Sequence, residues 1–158
     1  MSSQVLITEA DFDLGAEYEK LCTELPNIGA VVTFVGRVRD LNRGNKVATL
    51  ELQHYPGMTE NLIEKIIDEA KQRWPLERVR VIHRVGPLQP SSQIVFVGVA
   101  SAHRKEAFAA AEFIMDYLKT QATFWKKESG RKQESDKSSS EWLEMKTSDI
   151  EAAESWKK

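Results

Sequence analysis

Apolar positions along this chain fall into two rhythms, one helical and one extended. Leu14, Tyr18, Leu21, Cys22 and Leu25 recur three and four apart, which predicts a helix over 12–25. Leu62, Ile63, Ile66, Ile67, Ala70 and Trp74 repeat the pattern, with Thr59 as the expected N-cap and an end near Trp74, before Pro75. Ala107, Phe108, Ala111, Ile114, Met115 and Leu118 predict a long third helix, running from a cap-like Ser101 to Lys119. Between the helices the rhythm shortens. Residues 4–7, Gly29 to Arg39, Val47 to Tyr55, Arg78 to Val85 and Gln93 to Ala100 read as strands. The Val47 strand is the expected hairpin partner of the Gly29 strand, across a turn-rich loop that carries Arg43. In the Arg78 strand, Val79, Val81 and Val85 alternate against Arg78, Arg80 and the pair His83–Arg84. Gln93 to Ala100 is almost continuously apolar and so is expected at the centre of a sheet. Gly86-Pro87 and Pro90-Ser91-Ser92 read as turns.

After Glu128 the pattern breaks. Residues 129–141 carry no apolar side chain and are expected as a flexible polar loop. Trp142, Leu143 and Met145 suggest a short ordered segment, and a last helix begins at Ser148 or Asp149. The division is one catalytic domain over 1–128, the loop at 129–141, and a segment at 142–158 that packs back on the domain. Paired strands between helices predict an α+β class: two layers, with a mostly antiparallel sheet.

Composition narrows the classes. The 158 residues suffice for one domain with a real core. A net charge of -2 argues against a general nucleic-acid binder, so no nucleic acid is expected as a partner. No run approaches a membrane span of roughly 18 apolar residues. Cys22 is the single cysteine, which excludes an internal disulfide and cysteine-based zinc sites. It falls on an apolar helix face and reads as a packed thiol rather than a nucleophile. With no signal peptide apparent, a cytoplasmic setting is expected. His54, His83 and His103 are scattered without ligand spacing, so neither metal nor cofactor is expected.

Charge matters more in its placement than in its sum. His103 and Arg104 occupy the first turn of the longest helix, where cations oppose the helix dipole and free N–H groups favour an anion. Arg37 and Arg39 end a strand on one face. Lys119 ends the long helix, and Lys126 and Lys127 follow Phe124-Trp125, whose rings suit a partly dry pocket wall. His103 and Lys119 are sixteen residues apart, roughly 24 Å along a straight helix. They cannot both touch one small molecule from the same chain. Either there are two sites, or two chains complete one site, and a dimer is the expectation.

These stretches carry a resemblance. FVGRVR at 34–39, LQHYPGM at 52–58, RWPL at 73–76, VIHRVG at 81–86, IVFVGVASAHR at 94–104 and FIMDYLKTQATFWKKE at 113–128 resemble the catalytic large subunit family of molybdopterin synthase. The resemblance implies an α/β hammerhead-like fold with a small additional sheet. It implies conversion of cyclic pyranopterin monophosphate to molybdopterin, with two dithiolene sulfurs donated by the C-terminal Gly-Gly thiocarboxylate of a small ubiquitin-like subunit. It also implies a heterotetramer built on a central dimer. By matching positions, substrate binding falls to Arg37, Val38, Arg39, His103, Arg104, Lys119, Lys126, Lys127 and Glu128, and catalysis to Lys119 and Lys126. Lys119 is expected nearest the incoming thiocarboxylate, stabilising charge on it, and Lys126 to move a proton on the pterin-side intermediate; on sequence grounds the two roles could be exchanged. Near Lys146 the family pattern favours arginine, and lysine keeps the charge without the bidentate fork. The competing expectation is a non-enzymatic module that binds the tail of a ubiquitin-like protein, with the lysines as docking charges.

Overall fold

A computed structural model describes residues 4–39, 41–42, 45–46, 49–122, 124–130, 139–142 and 147–157, with 41–42, 45–46, 127–130, 139–142 and 147 described through their backbone. In chain order the elements are β1 (Val5–Thr8), α1 (Leu14–Cys22), β2 (Ala30–Arg37), β3 (Leu41–Asn42), β4 (Asn45–Lys46), β5 (Thr49–His54), α2 (Met58–Arg73), β6 (Leu76–Arg84), β7 (Gly86–Leu88), β8 (Gln93–Ser101), α3 (Arg104–Thr120), β9 (Phe124–Gly130), β10 (Ser139–Trp142) and α4 (Thr147–Glu154). A 3-10 turn, Ser155–Lys157, follows.

The strands form two four-stranded sheets, ordered β1-β6-β8-β2 and β10-β9-β5-β7, with β3 and β4 paired apart from both. Only the β1–β6 pairing is parallel among the described strands. The architecture is thus α+β and mostly antiparallel, as the sequence predicts. No helix among the described residues is long and apolar enough to cross a membrane.

The first sheet is apolar on both faces. Val79, Val81, Val97 and Val99 meet Ile63, Ile67, Phe113 and Ile114 of α2 and α3. On the opposite face Ile82, Phe96 and Ala100 meet Leu21 of α1, with Cys22 half-buried beside them. Burying each large side chain contributes about 1.5–3 kcal/mol, so the helices are firmly docked. A third cluster, Val38, Leu50, Leu52, Val85 and Leu88, joins the second sheet to the first.

Several expectations change. β2 is not a hairpin partner of β5. It pairs with β8 from Ala30↔Ser101 to Arg37↔Gln93, while β5 lies between β7 and β9 in the other sheet. The apolar β8 offers β2 more burial than the amphipathic β5 does. Gly86-Pro87, expected as a turn, opens β7. The first helix is shorter than 12–25, because the Asp13 carboxylate accepts from the Ala16 N–H and fixes the start at Leu14. The N-cap of α2 is Gly57, not Thr59; Thr59 is fully buried and its hydroxyl accepts from the Tyr55 N–H. His103, not Ser101, caps α3, and the Ser101 hydroxyl donates to the His103 carbonyl. The buried face of α3 is Ala107, Ala110, Ala111, Phe113, Ile114, Tyr117 and Leu118, leaving Phe108 62% exposed. β9 reaches Gly130 and β10 begins at Ser139, so both ends of the expected loop are strands; 131–138 lie outside the described residues.

The chain end meets the middle of the fold. The Trp156 ring sits edge-on against Trp74 and Phe113, its N–H donates to Asp116 of α3 at 2.6 Å, and Arg73 donates to its carbonyl at 2.7 Å.

At the start of β2, the Gly29 N–H donates to the Ser101 carbonyl, and a Cβ on Gly29 would stand 2.2 Å from the Ala102 carbonyl oxygen. That oxygen belongs to the backbone just before α3 and cannot rotate aside. Gly29→Ala is expected to destabilise the fold by about 1–3 kcal/mol, measured by denaturant unfolding.

Candidate functional site

The register fixes which groups share an end of the molecule. β8 runs from Gln93 to Ser101, and α3 turns back after two residues to lie along the same sheet. Its first turn, with His103 and Arg104, therefore sits at the Ala30–Ser101 end. Its last turn, with Lys119, sits at the opposite end, where Arg37 pairs with Gln93 and His83 with Val95. Arg37, Val38, Arg39 and Lys119 thus belong to one end, and His103 and Arg104 to the other.

At the Lys119 end the centre is His83, which the sequence reading set on the polar side of its strand. The structure places it in line with Val79 and Val81, and it is buried. Its ring stacks on Phe124 of β9, with centroids 3.8 Å apart and planes 18° apart. Its Nδ1–H donates to the Arg84 carbonyl at 2.8 Å, which leaves Nε2 as the acceptor nitrogen. Burial pushes the imidazole down to a pKa of about 3; the Arg84 carbonyl opposes this, and Lys126, Lys119 and His54 add repulsion. Four basic side chains therefore gather here, and the innermost is neutral.

Each arrives from a different element. Lys126 stands opposite Leu52 in the β5–β9 register, and Phe124 opposite His54. Residues two apart on a strand share a face, so Lys126 lies on the same inward face as Phe124, towards the third core cluster. Lys119 is exposed in the last turn of α3. His54 reaches Glu60 of α2, with Nε2 3.4 Å from the carboxylate. A lysine on an inward face, beside a second lysine and a dry aromatic stack, suits a carboxylate, thiocarboxylate or phosphate removed from bulk water.

The arginines at this end are held less deeply. A register shift at Gly36/Arg37 ends β2, and the Arg37 Nε and Nη2 donate to the Ser91 carbonyl at 3.2 and 2.9 Å. Val38 is buried in the third cluster; its N–H donates to Ser92 and its carbonyl accepts from Ser91. It presents no free backbone group, but it anchors the exposed Arg37 and Arg39 on either side. Lys127 and Glu128 are placed by backbone alone, opposite Glu51 and Leu50. Arg43 and Lys146 lie outside the described residues.

At the far end, the N-cap His103 and Arg104, the first residue of α3, are both exposed. One Glu106 carboxylate oxygen is buried there without a hydrogen-bond partner among the described residues. The structure does not bring His103 or Arg104 to the lysines within one chain. His83 was missed because its neighbour Arg84 made the pair look polar. Parity with Val79 and Val81 was the signal that would have found it.

Known proteins match this chain along nearly its whole length. The family model described as MoaE protein covers residues 7–121. The molybdopterin synthase catalytic subunit of Vibrio cholerae is 53% identical, covering 99% of both chains. Among solved structures, a molybdopterin biosynthesis MoaE protein from Burkholderia ambifaria superposes with a TM-score of 0.81 at 46% identity, covering 98% of each chain. Molybdopterin synthase from Staphylococcus aureus superposes at 0.80 with 33% identity, covering 91% of this chain and 99% of that one. These relatives define a class, the sulfur-transferring enzymes of molybdenum cofactor biosynthesis. Within it, the chain belongs to the MoaE family.

The buried imidazole makes stability depend on pH. Between pH 6.5 and about 3 the unfolded chain binds a proton at His83 that the folded chain excludes. Stability is therefore full above pH 6.5 and falls on acidification through that window, by up to about 1.4 kcal/mol per pH unit from this group. Urea unfolding at pH 7 and 5 is expected to show this loss in the parental chain and a smaller one in His83→Phe.

Proposed function

We propose that two copies of this chain build a molybdopterin synthase whose active sites each draw cations from both copies, and that it converts cyclic pyranopterin monophosphate to molybdopterin. The observation that carries this is the division of cations between opposite ends of α3, in a chain whose relatives are molybdopterin synthase catalytic subunits. The name of those relatives implies a companion subunit. Here it is a small ubiquitin-like chain whose C-terminal Gly-Gly carries the sulfur as a thiocarboxylate. Cys22, half-buried against the α1 core, is poorly placed to supply it.

Lys119, exposed at the end of α3, meets the incoming tail and stabilises the negative charge that develops on the thiocarboxylate. Lys126, on the inward face, moves a proton on the pterin. His103 and Arg104 of the second copy, with the free N–H groups of their helix start, take the substrate phosphate. Arg37 and Arg39 add charge from the first copy, Val38 holds them in place, and Lys127 and Glu128 complete the binding strand. β2 is the edge of its sheet, with Phe34 41% exposed on it, and Phe108 stands out from α3. This apolar margin suits the second copy. A single cysteine fits a cytoplasmic, reducing setting.

Complementation tests the shared site. Lys119→Ala and His103→Ala, each assayed alone with thiocarboxylated small subunit and cyclic pyranopterin monophosphate, are expected to lose about 100-fold or more in product formation. After mixing and exchange of subunits, dimers carrying one of each retain one intact site of two, so an equimolar mixture is expected to return to roughly a quarter of the parental value, and isolated mixed dimers to about half. Mixed dimers that regain nothing contradict the proposal, and so does a Lys119→Ala enzyme that works at the parental rate.

A further inference from the structure

We propose that His83 is the positioning residue of the lysine pair: stacked on Phe124, it sets where Lys126 stands relative to Lys119. The inference rests on the reading above, in which both lysines act on one bound substrate.

The two lysines belong to different parts of the fold. Lys119 rides on α3, which is packed over the first sheet, while Lys126 belongs to β9 of the second sheet. Their separation therefore depends on how the two sheets are held together. His83 lies on β6 of the first sheet, and Phe124 lies two residues before Lys126. The face-to-face contact of these rings, 3.8 Å between centroids, joins the sheets beside the lysines. Phe124 and Lys126 share a strand face, so a shift of one carries the other.

The imidazole is itself tied down. Its Nδ1–H is spent on the Arg84 carbonyl, so the ring plane cannot swing freely. Arg84 in turn donates to the carbonyls of Glu9 and Gln93 and stands 3.8 Å from the Asp11 carboxylate. The plane of His83 is thus braced from the first sheet's side, and Phe124 rests on it. Among the described side chains, Lys126, Lys119 and His54 are the charged or titratable groups that act on the ring, and the Arg84 carbonyl accepts from it. With its Nδ1–H spent on a carbonyl and its face covered by Phe124, the ring is well suited to be a flat, uncharged spacer.

The test separates stacking from bulk. His83→Phe keeps a flat ring in the slot, whereas His83→Leu fills the slot without one, so both variants are expected to fold. In sulfur transfer with the small subunit, His83→Leu is expected to lower kcat by about tenfold or more through misplacement of Lys126, with KM nearly unchanged. His83→Phe is expected to keep kcat within about threefold of the parental value. Phe124→Leu should match His83→Leu, and the double variant should be no worse than the poorer single, because both act through one contact. Thermal melts of each variant confirm folding at the assay temperature. The proposal is overturned if His83→Leu keeps its kcat, if His83→Phe falls as far as His83→Leu, or if the two leucine losses multiply. Lys119→Ala, run alongside, keeps two failures apart. Loss there with an unaffected His83→Leu sinks only the role of His83, whereas an unaffected Lys119→Ala sinks the lysine site itself.

Discussion

A single straight helix holds His103 and Lys119 sixteen residues apart, roughly 24 Å end to end. No rotamer closes that gap, and α3 is pinned along its length by its own buried Ala107, Ala111, Ile114 and Leu118, and by Trp156 against its Phe113 and Asp116. The rigidity of this rod turns two clusters of positive charge into two separate places. Everything proposed about the assembly follows from that separation. Under the proposed function, a phosphate at one end and a sulfur donor at the other would meet on one pterin only if a second copy supplies the missing end.

The site also runs against what stability alone would select. Cations at the start of a helix oppose its dipole by some tenths of a kcal/mol. An inward-facing lysine and a buried imidazole each cost desolvation. Under the proposed function, an anion bound at the start of α3 reverses the first effect. Stability given up at a binding end is recovered in the apolar clusters on both faces of the first sheet.

Much of the fold was legible in the sequence because periodicity reports burial directly. The apolar run Gln93 to Ala100 announced a central strand, and the stripe from Ile63 to Ala70 announced a docked helix. What could not be read was pairing across distance. β2 and β5 are neighbours in sequence with a turn between them, yet long-range partners claim both. β9 escaped notice because Phe124-Trp125 followed by charged residues has no clean alternation. Its strand character comes from β5 and β10 on either side. Phe108 looked buried by spacing, but the face of α3 that meets the sheet is centred on Ala110, Ile114 and Tyr117. In the site, the lysines and arginines could be picked out by type and by resemblance. His83 has the parity of Val79 and Val81, but the adjacent Arg84 made the pair read as polar.

The central claim is that one pterin is held by two chains. A structure of the dimer with cyclic pyranopterin monophosphate bound tests it most directly. Lys119 and Lys126 of one copy, together with His103 and Arg104 of the other, are expected within hydrogen-bonding reach of the same pterin. A pterin whose cations all come from a single chain would contradict it.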